Sequence, residues 1–132
     1  MRLLGWGLLA AVVSAWLAVV EVLWLPMRVG GVLVPVSVLA AVAGNVLLVS
    51  GAHRLSGSRL VGVVPALVWL VVAVGGALRR PEGDVLVAAP PGDTVAGVVN
   101  LVFLLTGVVA ASFAVGRLLG ARPAVAQGTA RR

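Results

Sequence analysis

The sequence predicts an all-α polytopic membrane protein, four transmembrane helices in an up-down bundle, and three observations carry that expectation. Four apolar stretches, with helices expected over about 3–25, 29–52, 59–78 and 94–117, are each long enough to cross a hydrocarbon core of about 30 Å. Only 11 % of the 132 residues are charged, whereas 61 % are hydrophobic and the mean hydropathy is +1.18. A soluble domain of this size could not hide so much apolar side chain, so the solvent for most of the chain is lipid. The connectors between the first three stretches are short and rich in turn formers, which makes consecutive helices antiparallel. Residues 1–118 are therefore expected to form one transmembrane domain, and 119–132 a disordered, basic, cytoplasmic tail.

The first stretch follows Arg2 and ends before Pro26. Its 23 residues reach about 35 Å as a helix, enough to span with some tilt. A secretory signal peptide has an apolar region of only about 7–15 residues, so this stretch reads as a signal-anchor helix. Pro26 and Gly30-Gly31 make a tight first turn. Helix two follows between Arg28 and His53, with Pro35 in its first turns, where a missing N–H costs little. Ser56-Gly57-Ser58 forms the second turn, with Ser58 as N-cap of helix three, and Pro65 lies deep enough in that helix to kink it. Pro90-Pro91-Gly92 precedes helix four, whose N-cap is Asp93 or Thr94.

Orientation follows from the arginines. With both termini cytoplasmic, Arg2, Arg54, Arg59, Arg117, Arg122, Arg131 and Arg132 lie inside, against Arg28, Arg79 and Arg80 outside. The net charge of +6 points to the lipid bilayer surface rather than nucleic acid, because the arginines are scattered between apolar runs instead of grouped on a face with interleaved aromatics. The absence of lysine, isoleucine and tyrosine beside abundant Arg, Val, Ala and Gly suggests a high-GC bacterium, hence a bacterial inner membrane.

Few residues could carry chemistry. Glu21 is an acid inside an apolar helix, about 6 Å from its outer end. It reads either as an interfacial or hydrogen-bonded group, as a proton or cation carboxylate, or as a partner contact. Asn100 is expected near the same depth, where a hydrogen bond to Glu21 would set the register of helices one and four; Asn45 lies deeper in helix two. Small residues four apart, Ala40 with Gly44 and Gly107 with Ala111, allow close approach of helix backbones. The loop between helices three and four carries Arg79, Arg80, Glu82 and Asp84, read as a solvated charged loop or as an outer contact for a partner or an anion. Its apolar stretch 85–89 is too short to span and is expected at the bundle rim, at the interface, or as a partner-binding strand. Cysteine is absent, and His53 adjoins Arg54 with no acid nearby, so neither a metal site nor a nucleophile–base pair can be assembled. No cofactor is expected, and an enzyme acting alone is not.

Four helices with an acid in the first resemble the small multidrug resistance transporters, dual-topology dimers that exchange protons for hydrophobic cations at a helix-one glutamate. That resemblance implies such a role for Glu21. It departs from the family in having Ser14 rather than the acid at mid-helix, no tyrosine, and a strong arginine bias. The Met1-Arg2-Leu3-Leu4 start, the Trp-Leu runs, the Arg79-Arg80-Pro81-Glu82-Gly83-Asp84 loop and the Arg-rich tail are similar to short four-helix actinobacterial membrane proteins without assigned function. The expected function is accessory: a membrane subunit that packs against a larger membrane or envelope protein, or against itself. The alternative is a small oligomeric proton-coupled transporter using Glu21.

Overall fold

Each apolar stretch closes its own backbone hydrogen bonds as a helix, the only open-chain solution in hydrocarbon. The computed structural model describes residues 1–25, 27–78 and 92–121. Within them the chain is an all-α four-helix bundle: α1 (Arg2–Trp24), α2 (Val36–Ser56), α3 (Arg59–Ala77) and α4 (Thr94–Gly120). All four helices are long and apolar enough to cross a membrane, which makes this a multi-pass membrane protein. Arg79, Arg80, Glu82, Asp84, the 85–89 stretch and the basic tail from 122 onward lie outside the described residues.

One boundary is corrected. The helix expected from 29 starts only at Val36, because Arg28–Val29 (β1) and Val32–Leu33 (β2) pair as a short antiparallel hairpin, Arg28 opposite Leu33 and Val29 opposite Val32. Gly30 and Gly31 take φ of +58° and +81°, the positive values that a two-residue type I′ turn requires at both central positions. Pro35 is thus the N-cap residue of α2 rather than part of its first turn. The other punctuation follows the sequence. Gly57 ends α2 at φ +69°, and the Ser58 hydroxyl caps α3 by accepting from the Val61 N–H. Asp93, not Thr94, caps α4, accepting from the Ala96 N–H at 3.0 Å, and α4 continues to Gly120.

Consecutive helices run antiparallel, but their spatial order around the bundle is α1, α3, α4, α2. The parallel pairs α1–α3 and α2–α4 lie side by side, α2 and α3 meet across the middle, and α1 and α4 do not pack extensively on each other. The inward faces of α1 and α2 are made mostly of small and polar residues. Ser14, Ala18, Glu21 and Val22 of α1 are buried, as are Ser37, Ala41, Asn45 and Val49 of α2, a stripe at four-residue spacing. Leucines and valines instead dominate the outer surface, since lipid gives them no reason to turn inward.

Candidate functional site

Glu21 is buried to 1 % exposure, so of the interfacial and the hydrogen-bonded alternatives the structure takes the hydrogen-bonded one, in the interior. The periodicity of α1 explains this: Ser14, Ala18 and Glu21 recur three and four residues apart and share the inward face. The Trp69 indole N–H of α3 donates to Glu21 Oε2 at 2.7 Å. Glu21 Oε1 has no hydrogen-bond partner among the described residues and faces α2, where a Cβ on Gly44 would lie 3.2 Å from it. The carboxyl therefore sits between three helices.

Trp69 is the hub of the surrounding core. Its ring packs tilted at 56° against Phe103 of α4, with centroids 5.6 Å apart, in a cluster with Ala18, Val22, Leu25, Ala41 and Ala73. Beneath the indole lies Gly107, whose absent Cβ would fall only 2.0 Å from Trp69 Cη2. The two glycines expected to bring backbones together are sockets for side chains instead: Gly44 receives Leu17 and Glu21, and Gly107 receives Trp69. A second α1–α3 link lies nearer the N-terminus, where the Ser14 hydroxyl donates to the Pro65 carbonyl at 2.7 Å.

The expected Asn100 to Glu21 bond is not formed. Glu21 turns to α3, and Asn100 stands half-buried on α4, a helix on which α1 does not pack extensively. Asn45 is buried, as its apolar surroundings demand of a polar residue in mid-helix, and its amide donates to the Ala41 carbonyl at 2.9 Å. Its Oδ1 and the Ser37 hydroxyl are left without partners among the described residues. The interior near α2 thus holds three unpaired oxygens, on Glu21, Asn45 and Ser37, which could accept from a donor such as water or a proton. Among the described residues no three His, Asp or Glu side chains converge as metal ligands would.

Trp69 as the partner of Glu21, and Ser14 as the donor to Pro65, were what sequence reasoning missed. The available signal was the stripe of small and polar residues on each helix, which marks the inward face in lipid better than hydrophobicity does. Trp16, by contrast, is 67 % exposed on the lipid-facing side of α1 at mid-span and makes no hydrogen bond among the described residues. At the hairpin end, Arg28 pairs with Asp93, so the cap residue of α4 also ties down the α1–α2 connection. A scan against protein-family models finds no match, and neither a curated protein nor a solved structure matches the chain.

Proposed function

We propose that this is an accessory subunit of a bacterial inner membrane, with both termini cytoplasmic, that works by packing its lipid-facing surface against a larger membrane or envelope protein or a second copy of itself. The observation that carries the reading is Trp16. An indole N–H held in the middle of the hydrocarbon without an acceptor is costly, and a partner helix supplies the acceptor that the described residues do not. The interior supports the same reading, because the two α1–α3 hydrogen bonds are spent on holding the bundle together. The proposed orientation rests on arginine placement: among the described residues Arg2, Arg54, Arg59 and Arg117 gather at the end bearing the N-terminus, against Arg28 at the hairpin end, and the sequence adds Arg79 and Arg80 to the outer count.

The test is a photo-crosslinking residue at Trp16, compared with the same residue at Val71, which is equally lipid-facing at 71 % exposure on α3. Crosslinks from position 16 to a membrane protein or to a second copy, lost when helix α1 carries bulky substitutions at Val12 and Val19, are the expected result. Lipid adducts alone from both positions, with no partner or self-association recovered in mild detergent, eliminate the proposal.

A second reading, a small oligomeric proton-coupled transporter, is favoured by one feature: Glu21 Oε1 is buried, unpaired and pressed against the small residue Gly44. An ionisable group placed there is a functional candidate in its own right. This reading predicts that Glu21→Gln abolishes transport at unchanged expression. Transport that survives the substitution removes it.

A further inference from the structure

The parallel helices α2 and α4 end side by side, and between their last turns lies a cleft of about 430 Å³ whose polar rim is His53, Arg54 and Arg117. Each helix C-terminus carries about half a negative charge, so two of them neutralise only about one of the two arginine charges. The two acids among the described residues, Glu21 and Asp93, lie toward the opposite end of the bundle. Positive charge is therefore left over at the mouth. The His53 Nδ1 is buried there without a hydrogen-bond partner among the described residues. Arg117 also stacks over the Phe113 ring, 5.7 Å from its centroid, which fixes its guanidinium beside the opening.

Below this mouth the walls turn apolar. Val46 and Phe113 line the cleft and also line a second groove of about 440 Å³, formed with Val42, Leu105, Val109 and Ala110. The groove follows α4 from Leu105 to Phe113, about 12 Å at 1.5 Å per residue. A basic mouth at the membrane surface that opens into an apolar channel along the bilayer normal has the two-part chemistry of an anionic phospholipid: a phosphate and an acyl chain. We propose that the α2–α4 cleft binds an anionic phospholipid, its phosphate between Arg54 and Arg117 and one acyl chain in the groove between Val42 and Val109.

Native mass spectrometry of the full chain in detergent, titrated with dioleoyl phosphatidylglycerol, tests this against dioleoyl phosphatidylcholine and against glycerol 3-phosphate, which carries the anion without the chains. The expected result is retention of phosphatidylglycerol over phosphatidylcholine. Arg54→Gln with Arg117→Gln weakens phosphatidylglycerol about thirtyfold, roughly fivefold for each surface charge, and erases the preference. The lysine pair Arg54→Lys with Arg117→Lys keeps most of it. Val109→Trp, at a 67 % exposed position where folding tolerates bulk, fills the groove and weakens phosphatidylglycerol several-fold with no change of charge. Unchanged retention in the glutamine pair overturns the proposal. So does displacement of the lipid by equimolar glycerol 3-phosphate, which would reduce the cleft to a simple anion site.

Discussion

Replacing Gly107 by alanine adds one methyl group directly beneath the indole of Trp69. The new Cβ would lie 2.0, 2.4 and 3.0 Å from three carbons of the ring, where carbon atoms normally rest about 3.5–4.0 Å apart. The ring must retreat by more than 1 Å, yet it is held on its far side by Glu21 and flanked by Phe103. A retreat of that size drives the indole toward Glu21, and the 2.7 Å bond cannot keep its hydrogen-bond geometry unless the carboxyl is displaced. Overpacking costs about 1–3 kcal/mol, and an unsatisfied buried carboxyl oxygen about 1–3 more. Helix propensity returns about 1 kcal/mol, leaving a net loss of roughly 1–5 kcal/mol. Gly75→Ala is the matched control, because nothing lies within 4 Å of a Cβ there and only the propensity gain remains. Reversible unfolding in mixed micelles, followed by circular dichroism, gives both values. Combining Gly107→Ala with Trp69→Phe removes the clashing carbons, so the double variant should be less destabilised than the sum of the singles. A Gly107→Ala protein as stable as Gly75→Ala would show that the indole does not occupy this socket.

Other substitutions probe the same framework. Trp69→Phe deletes the donor to Glu21 and leaves a cavity beside Phe103, for an expected loss of about 2–4 kcal/mol in the same unfolding assay. Ser14→Ala removes only the bond to the Pro65 carbonyl, and interhelical hydrogen bonds in bilayers average about 0.6 kcal/mol, so a loss above about 2 kcal/mol would contradict the assignment. Asp93→Ala should cost about 1 kcal/mol through the lost cap of α4, measured as fraying of its first turn by hydrogen exchange, whereas Arg28→Gln should cost little because its side chain is 45 % exposed and solvent screens the pair.

Helix positions were legible because length and hydropathy act on each segment separately. The caps Ser58 and Asp93 were legible for the same reason, being local. The hairpin at 28–33 was not, since its valines read equally well as helix, although Gly30-Gly31 flanked by valines is itself a hairpin signal. Glu21 stood out as the one acid within an apolar run, and Asn45 as a polar residue deep in helix two, though its amide bonds within its own helix rather than across to another. The partner of Glu21 was hidden because it depends on which helices are neighbours. In water, hydrophobic faces announce that choice; in lipid, Leu and Val are at home outside, and adjacency is decided by where large side chains find small sockets. Gly107 opposite Trp69 placed α3 on α4, and Gly44 opposite Leu17 and Glu21 placed α1 on α2, which left Asn100 on a helix that Glu21 does not meet.

Both buried interhelical hydrogen bonds among the described residues fasten α1 to α3. Glu21 is therefore a lock on α1 whatever else it does, and the lock and the carboxyl can be separated. In Glu21→Gln the amide oxygen still accepts from the Trp69 N–H, so the helix should stay docked and the unfolding midpoint should move little. In Glu21→Leu the volume is kept but the indole N–H loses its acceptor, costing about 1–3 kcal/mol. If the glutamine variant keeps both its stability and its crosslinks from position 16 while the leucine variant loses them, the role of Glu21 is to hold α1 in place. If the glutamine variant keeps its stability but loses an associated solute flux, the carboxyl itself is needed, and the unpaired Oε1 facing Gly44 is where the proton is handled. A glutamine variant that unfolds as readily as the leucine one would show that Trp69 does not hold Glu21 in the way the geometry indicates.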